Sequence, residues 1–156
     1  MIGISRYLGL SVLILGLMSV ALGGVFVAQS ISKHNYIRDR ARLEQLTFGL
    51  DADAVARGEF VDSANGMQTA ANTIAEHRRA IAPTYQSQGK FDPTNPTQLT
   101  YSQAINLENY LYLGVLSFGV TQLAFGSGIF MIVAGCALAA GGIALFGLAS
   151  RKPQTA

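Results

Sequence analysis

The sequence predicts an all-α membrane protein, in which two long transmembrane helices project into a small, mostly helical extramembrane head. Half of the 156 residues are hydrophobic and only 13% are charged, a more apolar balance than that of an ordinary soluble domain. Two long uncharged stretches lie near the two ends of the chain. Between them lie all the acidic residues, from Asp39 to Glu108, and eight of the eleven basic residues.

These observations divide the chain into four parts. Residues 1–30 form an N-terminal tail and the first transmembrane helix, and residues 31–109 form an extramembrane helical head with a Pro-rich loop at 83–99. Residues 110–149 form a long helix that spans the membrane mainly over 128–149, and residues 150–156 form a C-terminal tail.

The first apolar stretch runs from Tyr7 to Ala28 without a charge or a proline. Its 22 residues would span about 33 Å as a helix, enough for a hydrocarbon core of about 30 Å. The alternative is a cleaved signal peptide, because Arg6 precedes the stretch and Ser19–Ala21 resembles a small-residue cleavage site. The apolar residues continue to Ala28, which is longer than an ordinary signal-peptide core and favours a transmembrane helix.

The middle of the chain predicts a small helical domain. The first helix should continue to about Leu46, since no proline or glycine precedes Gly49. An irregular link with room for one short strand follows over 47–62. The next helix should begin at a cap on Asp62 or Ser63 and end before Pro83, with these apolar positions: Met67, Ala70, Ala71, Ile74 and Ile81.

A polar loop with two prolines and a glycine follows over 84–99. Thr100 and Gln103 match a capping box, which predicts that the last helix starts at about Tyr101 and continues into the membrane.

The second apolar stretch, residues 110–149, is either one long helix or a hairpin broken at 126–128. Small residues recur every seven positions in the following row: Gly114, Thr121, Gly128, Gly135, Gly142 and Ala149. A second row with the same spacing consists of Phe118, Phe125, Ile132, Ala139 and Phe146. A turn at 126–128 would have no reason to keep both rows in phase, so the pattern favours one continuous helix of about 60 Å. A hairpin would give three spans instead of two.

The first apolar stretch has its own row of glycines, and together the two stretches predict a helix-packing interface. Its members are Gly9, Gly16 and Gly23 in the first stretch and Gly128, Gly135 and Gly142 in the second. Helices in lipid associate through small residues that allow close approach. The two rows either pack on each other within one chain or serve as an interface to another copy or a partner.

The distribution of charge bears on orientation and partners. The tails carry only basic residues, Arg6, Arg151 and Lys152, which favours cytoplasmic termini and an extracytoplasmic middle region. The basic cluster over 33–42 argues the other way, but long loops follow the positive-inside rule poorly. No basic run is dense enough to follow a phosphate backbone, so membrane lipid and protein are the expected partners and nucleic acid is not.

The titratable residues predict neither a catalytic centre nor a metal or cofactor site. The two histidines, His34 and His77, are far apart in sequence and have no second ligand at metal spacing. The carboxylates of Asp51 and Asp53 are a weak pair, and Cys136 is the only cysteine. The chain has no phosphate-binding loop and no nucleophile motif.

Part of the sequence carries a family resemblance. Its motifs are ANTIAEH at 71–77, Tyr85, Asp92-Pro93, LYLGVLSFGV at 111–120, and Gly-Ser-Gly at 126–128. In these it resembles a group of small bacterial membrane proteins with two spans and uncharacterised function, which are often labelled aromatic ring-opening dioxygenases. The resemblance implies a two-span protein of the bacterial plasma membrane, with His77 in a shared structural or binding role. Iron-dependent ring cleavage needs a cluster of His and carboxylate ligands, which this sequence lacks.

Two hypotheses for function follow. The first is a non-enzymatic integral membrane protein that acts through helix–helix association, as an accessory subunit of a membrane complex or as a homo-oligomer. The alternative is a sensing module with an extracytoplasmic head, in which His77, Tyr85 and Tyr101 bind a small ligand or a lipid headgroup.

Overall fold

The computed structural model describes residues 2–48 and 52–150, with side chains from residue 6 onwards. It is all-helical, as predicted, and has no strand among the described residues. Its α-helices over the described residues are α1 (Ile2–Leu43), α2 (Ala52–Arg57), α3 (Ala64–Ile81) and α4 (Pro96–Ser150), and Gln86–Gln88 form a 3₁₀ turn. Both α1 and α4 are long and apolar enough to cross a membrane.

Helix α4 is continuous over 55 residues and passes through 126–128 without a break, so the predicted single helix is confirmed and the hairpin is wrong. Its predicted start was also wrong, because it begins at Pro96 instead of Tyr101. Proline suits the first position of a helix, where no N–H is needed. The side-chain oxygen of Asn95 accepts hydrogen bonds from the backbone N–H groups of Thr97 and Gln98, at 3.0 and 3.4 Å. Asn95 therefore caps the helix, and the Pro-rich loop ends there.

Helix α1 ends at Leu43, before the predicted Leu46, and Gln45 has a φ of 50° that no helix continues through. The link that follows contains the short helix α2 where a strand was considered. Gly49 and Asp51, like the tail residues Arg151 and Lys152, lie outside the described residues.

Helix α3 has the predicted limits. The hydroxyl of Ser63 accepts a hydrogen bond from the N–H of Gly66 at 3.1 Å, and the helix ends at Ile81, just before Pro83. Its buried positions are Met67, Ala71 and Ala75, four residues apart, which is the spacing of one helix face.

The chain forms two compact units. One unit, the helix pair, contains residues up to Ser32 and from Gln122, and the other, the head unit, contains residues Lys33–Thr121. The core of the head unit consists of Ala41, Val61, Met67, Ala71, Leu111 and Phe118. A side chain at Gly114 would collide with the sulfur of Met67, so this glycine lets α3 approach α4 closely within the head unit.

Candidate functional site

The glycines predicted as a helix-packing interface lie against each other within the helix pair. We call the six residues Gly9, Gly16, Gly23, Gly128, Gly135 and Gly142 the glycine seam; all six are buried. A Cβ atom on Gly16 would lie 2.5 Å from the backbone nitrogen of Ala139 and 2.6 Å from the carbonyl oxygen of Gly135. Real Cβ atoms do not approach backbone this closely, so any side chain at this position would push the two helices apart.

The two helices of the pair are antiparallel, and the seam defines their register. Gly9 lies against Gly142, Gly16 against Gly135, and Gly23 against Gly128. A hydrogen bond of 2.8 Å from the Ser19 hydroxyl to the carbonyl oxygen of Met131 joins the same faces. The seam is thus a contact within one chain, and its glycines face the other helix of the pair.

His77 lies at the rim of an apolar cavity of about 310 Å³ in the head unit. The described residues that line the cavity are Leu46, Thr47, Phe48, Val61, Ala70, Thr73, Ile74, His77, Leu107 and Leu111. Val61, Leu111 and Thr47 are buried, whereas Phe48, Thr73 and His77 are exposed. The cavity therefore opens between α3 and the segment that follows α1, above the hydrophobic core.

Tyr85 and Tyr101, the other two predicted binding residues, lie together in a different place. Their ring centroids are 6.4 Å apart, and both line a shallow hollow beside the 83–95 loop. None of the described residues that line this hollow also lines the cavity at His77. The three candidates therefore do not form one site.

Tyr101 instead belongs to a buried polar cluster that the sequence analysis missed. The Nε of Arg78 donates to a carboxylate oxygen of Glu108 at 2.7 Å, and its Nη1 donates to the hydroxyl of Tyr101 at 2.6 Å. The side chains of Arg78 and Glu108 are only 11% and 10% exposed, and Tyr101 is fully buried. The hydrogen bond that the Arg78 guanidinium donates to Glu108 raises the pKa of Arg78 above its ordinary value.

The spacing of residues in the sequence indicates this cluster. Tyr101 and Glu108 are seven residues apart, so they lie on the same face of α4, the face that also buries Leu111. Arg78 is three residues beyond Ala75 and extends the buried face of α3. Two buried helix faces that carry opposite charges indicate a pair between the helices.

His34, the other histidine, packs against side chains of the head unit. The ring of His34 packs edge-on against Phe118 with centroids 4.9 Å apart, and its Nδ1 lies 3.5 Å from the hydroxyl of Thr121. Over residues 2–48 and 52–150, no three His, Cys, Asp or Glu side chains come together as metal ligands would.

An exposed apolar row lies on the head-unit part of α4. We call Leu113, Leu116 and Val120 the outer stripe; they are 62%, 63% and 59% exposed. Their spacing of three and four residues places them on one side of the helix. The opposite side of the same stretch carries the buried residues Leu111 and Phe118.

These features describe an all-helical chain with an apolar helix pair and a small packed head unit. No protein-family model, no curated protein and no solved structure matches it.

Proposed function

We propose that this chain is a non-enzymatic integral membrane protein with two spans, which acts by associating with another copy of itself or with a membrane complex. The exposed apolar surface of the helix pair supports the membrane part of this proposal. No charged residue occurs between Arg6 and Lys33 or between Glu108 and Arg151. Apart from the seam, large apolar side chains such as Leu15, at 59% exposed, cover both helices, as suits a lipid environment.

The register of the glycine seam supports a matched pair of spans. If the first span is Tyr7–Ala28, the antiparallel register places residues 123–144 of α4 opposite it. This segment also has 22 residues and is about 33 Å long as a helix. The span in α4 thus lies about five residues earlier than residues 128–149, where the sequence alone suggested it. We place both spans in the plasma membrane of a bacterium, with cytoplasmic termini and an extracytoplasmic head unit.

One observation carries the association part of the proposal, namely the exposure of the outer stripe, which lies before the proposed span in α4. Leu113, Leu116 and Val120 come before residue 123, so lipid tails would not cover them. Exposed apolar rows on a helix in water commonly mark a protein interface. The spacing of the row is that of a helix that packs lengthwise on another helix.

The glycine seam is not the proposed interface. Its glycines already contact one another within the chain, and separating them would expose backbone without a new partner. The outer stripe faces away from the core of the head unit, since Leu111 and Phe118 occupy the inner side of α4. It can therefore be covered without disturbing either unit.

Cysteine crosslinking in native membranes tests the proposal. In a Cys136→Ser background, Leu116→Cys places a thiol on the outer stripe, and Glu76→Cys places one on an exposed position of α3 as the matched control. We expect mild oxidation or a short bifunctional maleimide to crosslink Leu116→Cys and not Glu76→Cys. A product of twice the 16.5 kDa chain mass identifies self-association, and a product of another mass identifies a different subunit. Monomer alone from both variants would contradict the proposal.

A further inference from the structure

The head unit contains an apolar cavity that helix–helix association does not require. We propose that the cavity binds a small amphipathic molecule, a hydrocarbon body with a single carboxylate or hydroxyl end. The hydrocarbon body lies against the cavity floor, and the polar end hydrogen-bonds to the imidazole of His77.

The size of the cavity limits the ligand. Its volume of about 310 Å³ is at the lower end of the range of roughly 300–1,000 Å³ for small-molecule sites. It is about twice the roughly 150 Å³ of an apolar cavity that holds benzene, so it suits a body of about eight to twelve carbons. A protein helix, with a diameter of about 10 Å, is too wide to enter it.

The floor of the cavity is apolar and well supported. Val61 and Leu111 form part of it and belong to the core of the head unit, so neither can move aside without loss of core packing. The N–H of Val61 donates to the carbonyl oxygen of Leu46 at 2.8 Å, which ties together two lining segments that are distant in sequence. Such a preformed apolar floor favours a hydrocarbon over a polar ligand.

The polar side chains at the rim of the cavity indicate which polar group the ligand carries. His77 is the only ionisable side chain among the described lining residues, and its ring nitrogens can donate or accept a hydrogen bond. The hydroxyl of Thr73, one turn earlier on α3, donates to the carbonyl oxygen of Thr69 at 3.1 Å and can still accept a bond. At the exposed rim, the imidazole of His77 and the hydroxyl of Thr73 match one polar group, and a diphosphate or a sugar would need more partners.

Binding of octanoate and octanol to the full chain in nanodiscs tests this proposal. Saturation-transfer NMR against empty nanodiscs separates binding to the protein from partition into lipid. We expect saturable 1:1 binding that Ala70→Phe, which fills the cavity, reduces at least tenfold. The matched control Ala80→Phe carries the same substitution on an exposed part of α3 outside the cavity and should bind as the wild type does.

His77→Leu keeps the apolar body of the site and removes the hydrogen bond. We expect it to weaken octanoate binding roughly three- to tenfold, the usual effect of one lost hydrogen bond. Amide spectra show whether each variant keeps its fold; if Ala70→Phe does not, Thr73→Tyr blocks the cavity from its exposed rim. Binding that survives a folded cavity-blocking variant, or wild-type binding no greater than that of empty nanodiscs, would overturn the proposal.

Discussion

The buried pair of Arg78 and Glu108 gives the sharpest stability prediction. Arg78→Met keeps much of the side-chain stem that packs between α3 and α4 and removes the guanidinium. The carboxylate of Glu108 is then buried without its cation, and the hydroxyl of Tyr101 loses its donor. The side chains of the pair are only 11% and 10% exposed, so water replaces few of these interactions.

Loss of one partner of a buried ion pair costs about 3–5 kcal/mol, because the other charge is left uncompensated. A domain the size of the head unit is stabilised by about 5–15 kcal/mol in total, so the loss is a large share of its stability. Replacement of both partners, as in Arg78→Met with Glu108→Leu, removes both charges and should cost much less than the single change.

Amide hydrogen exchange of α3, measured on the full chain in nanodiscs, reports this loss directly. We expect Arg78→Met to reduce the protection of the α3 amides by roughly two to four orders of magnitude. The double variant should regain most of that protection. Arg42→Met is the matched control, since its pair with Asp62 is more exposed, with Arg42 at 48%, and should be worth at most about 1 kcal/mol. Equal protection in Arg78→Met and Arg42→Met, or equal losses in the single and double variants, would refute the reasoning.

Other parts of the chain give three further expectations. Gly16→Ala places a methyl group 2.5 Å from the Ala139 backbone nitrogen, whereas a methyl group at Gly24 meets nothing within 4 Å. Energy transfer between fluorophores on α1 and α4 should therefore be lost at a lower SDS concentration in Gly16→Ala than in Gly24→Ala. Equal SDS midpoints in the two variants would contradict this. Hydrogen bonds from the Thr94 hydroxyl and N–H hold the pKa of Asp92 below its ordinary value. The stabilisation of the loop by these bonds is therefore complete above the pKa of Asp92 in the unfolded chain, and it is lost as the pH falls through the pKa in the folded chain. Thr94→Ala should raise the NMR-titrated pKa of Asp92 towards that ordinary value, and an unchanged titration would contradict the assignment. In an otherwise cysteine-free chain, a membrane-impermeant maleimide should label Lys90→Cys in intact cells; labelling only after permeabilisation would reverse the proposed orientation.

The sequence was most informative where one residue type has a single physical role. A glycine row with a seven-residue period predicts close helix contact because any other residue would prevent it. The phase of the two rows in α4 likewise predicted an unbroken helix, and the structure has one. In α3, the cap at Ser63 and the stop before Pro83 are local signals that need no tertiary contact.

The predictions failed where tertiary packing or competing local signals decide. Two capping sequences lie near the start of α4, and Asn95 with Pro96 forms the cap although Thr100 and Gln103, which lie within the helix, also match a capping box. The Arg78–Glu108 pair depends on how α3 packs against α4, which neither helix encodes alone. Similarly, the cavity at His77 exists because Val61 and Leu46 meet across a link with no regular pattern.

The glycine seam also restricts how the two helices can slide along each other. A shift of one residue would place a Cβ-bearing residue opposite both Gly16 and Gly23, namely Ala134 and Ser127 in one direction or Cys136 and Ile129 in the other, so these registers are disfavoured. The next register that matches two glycine pairs of the seam is a whole heptad away, about 10 Å along the helix, and leaves one glycine of each row unmatched. Deleting a single residue between Gly9 and Gly23 should therefore damage the pair more than replacing any exposed leucine of α1, because sliding cannot compensate for it.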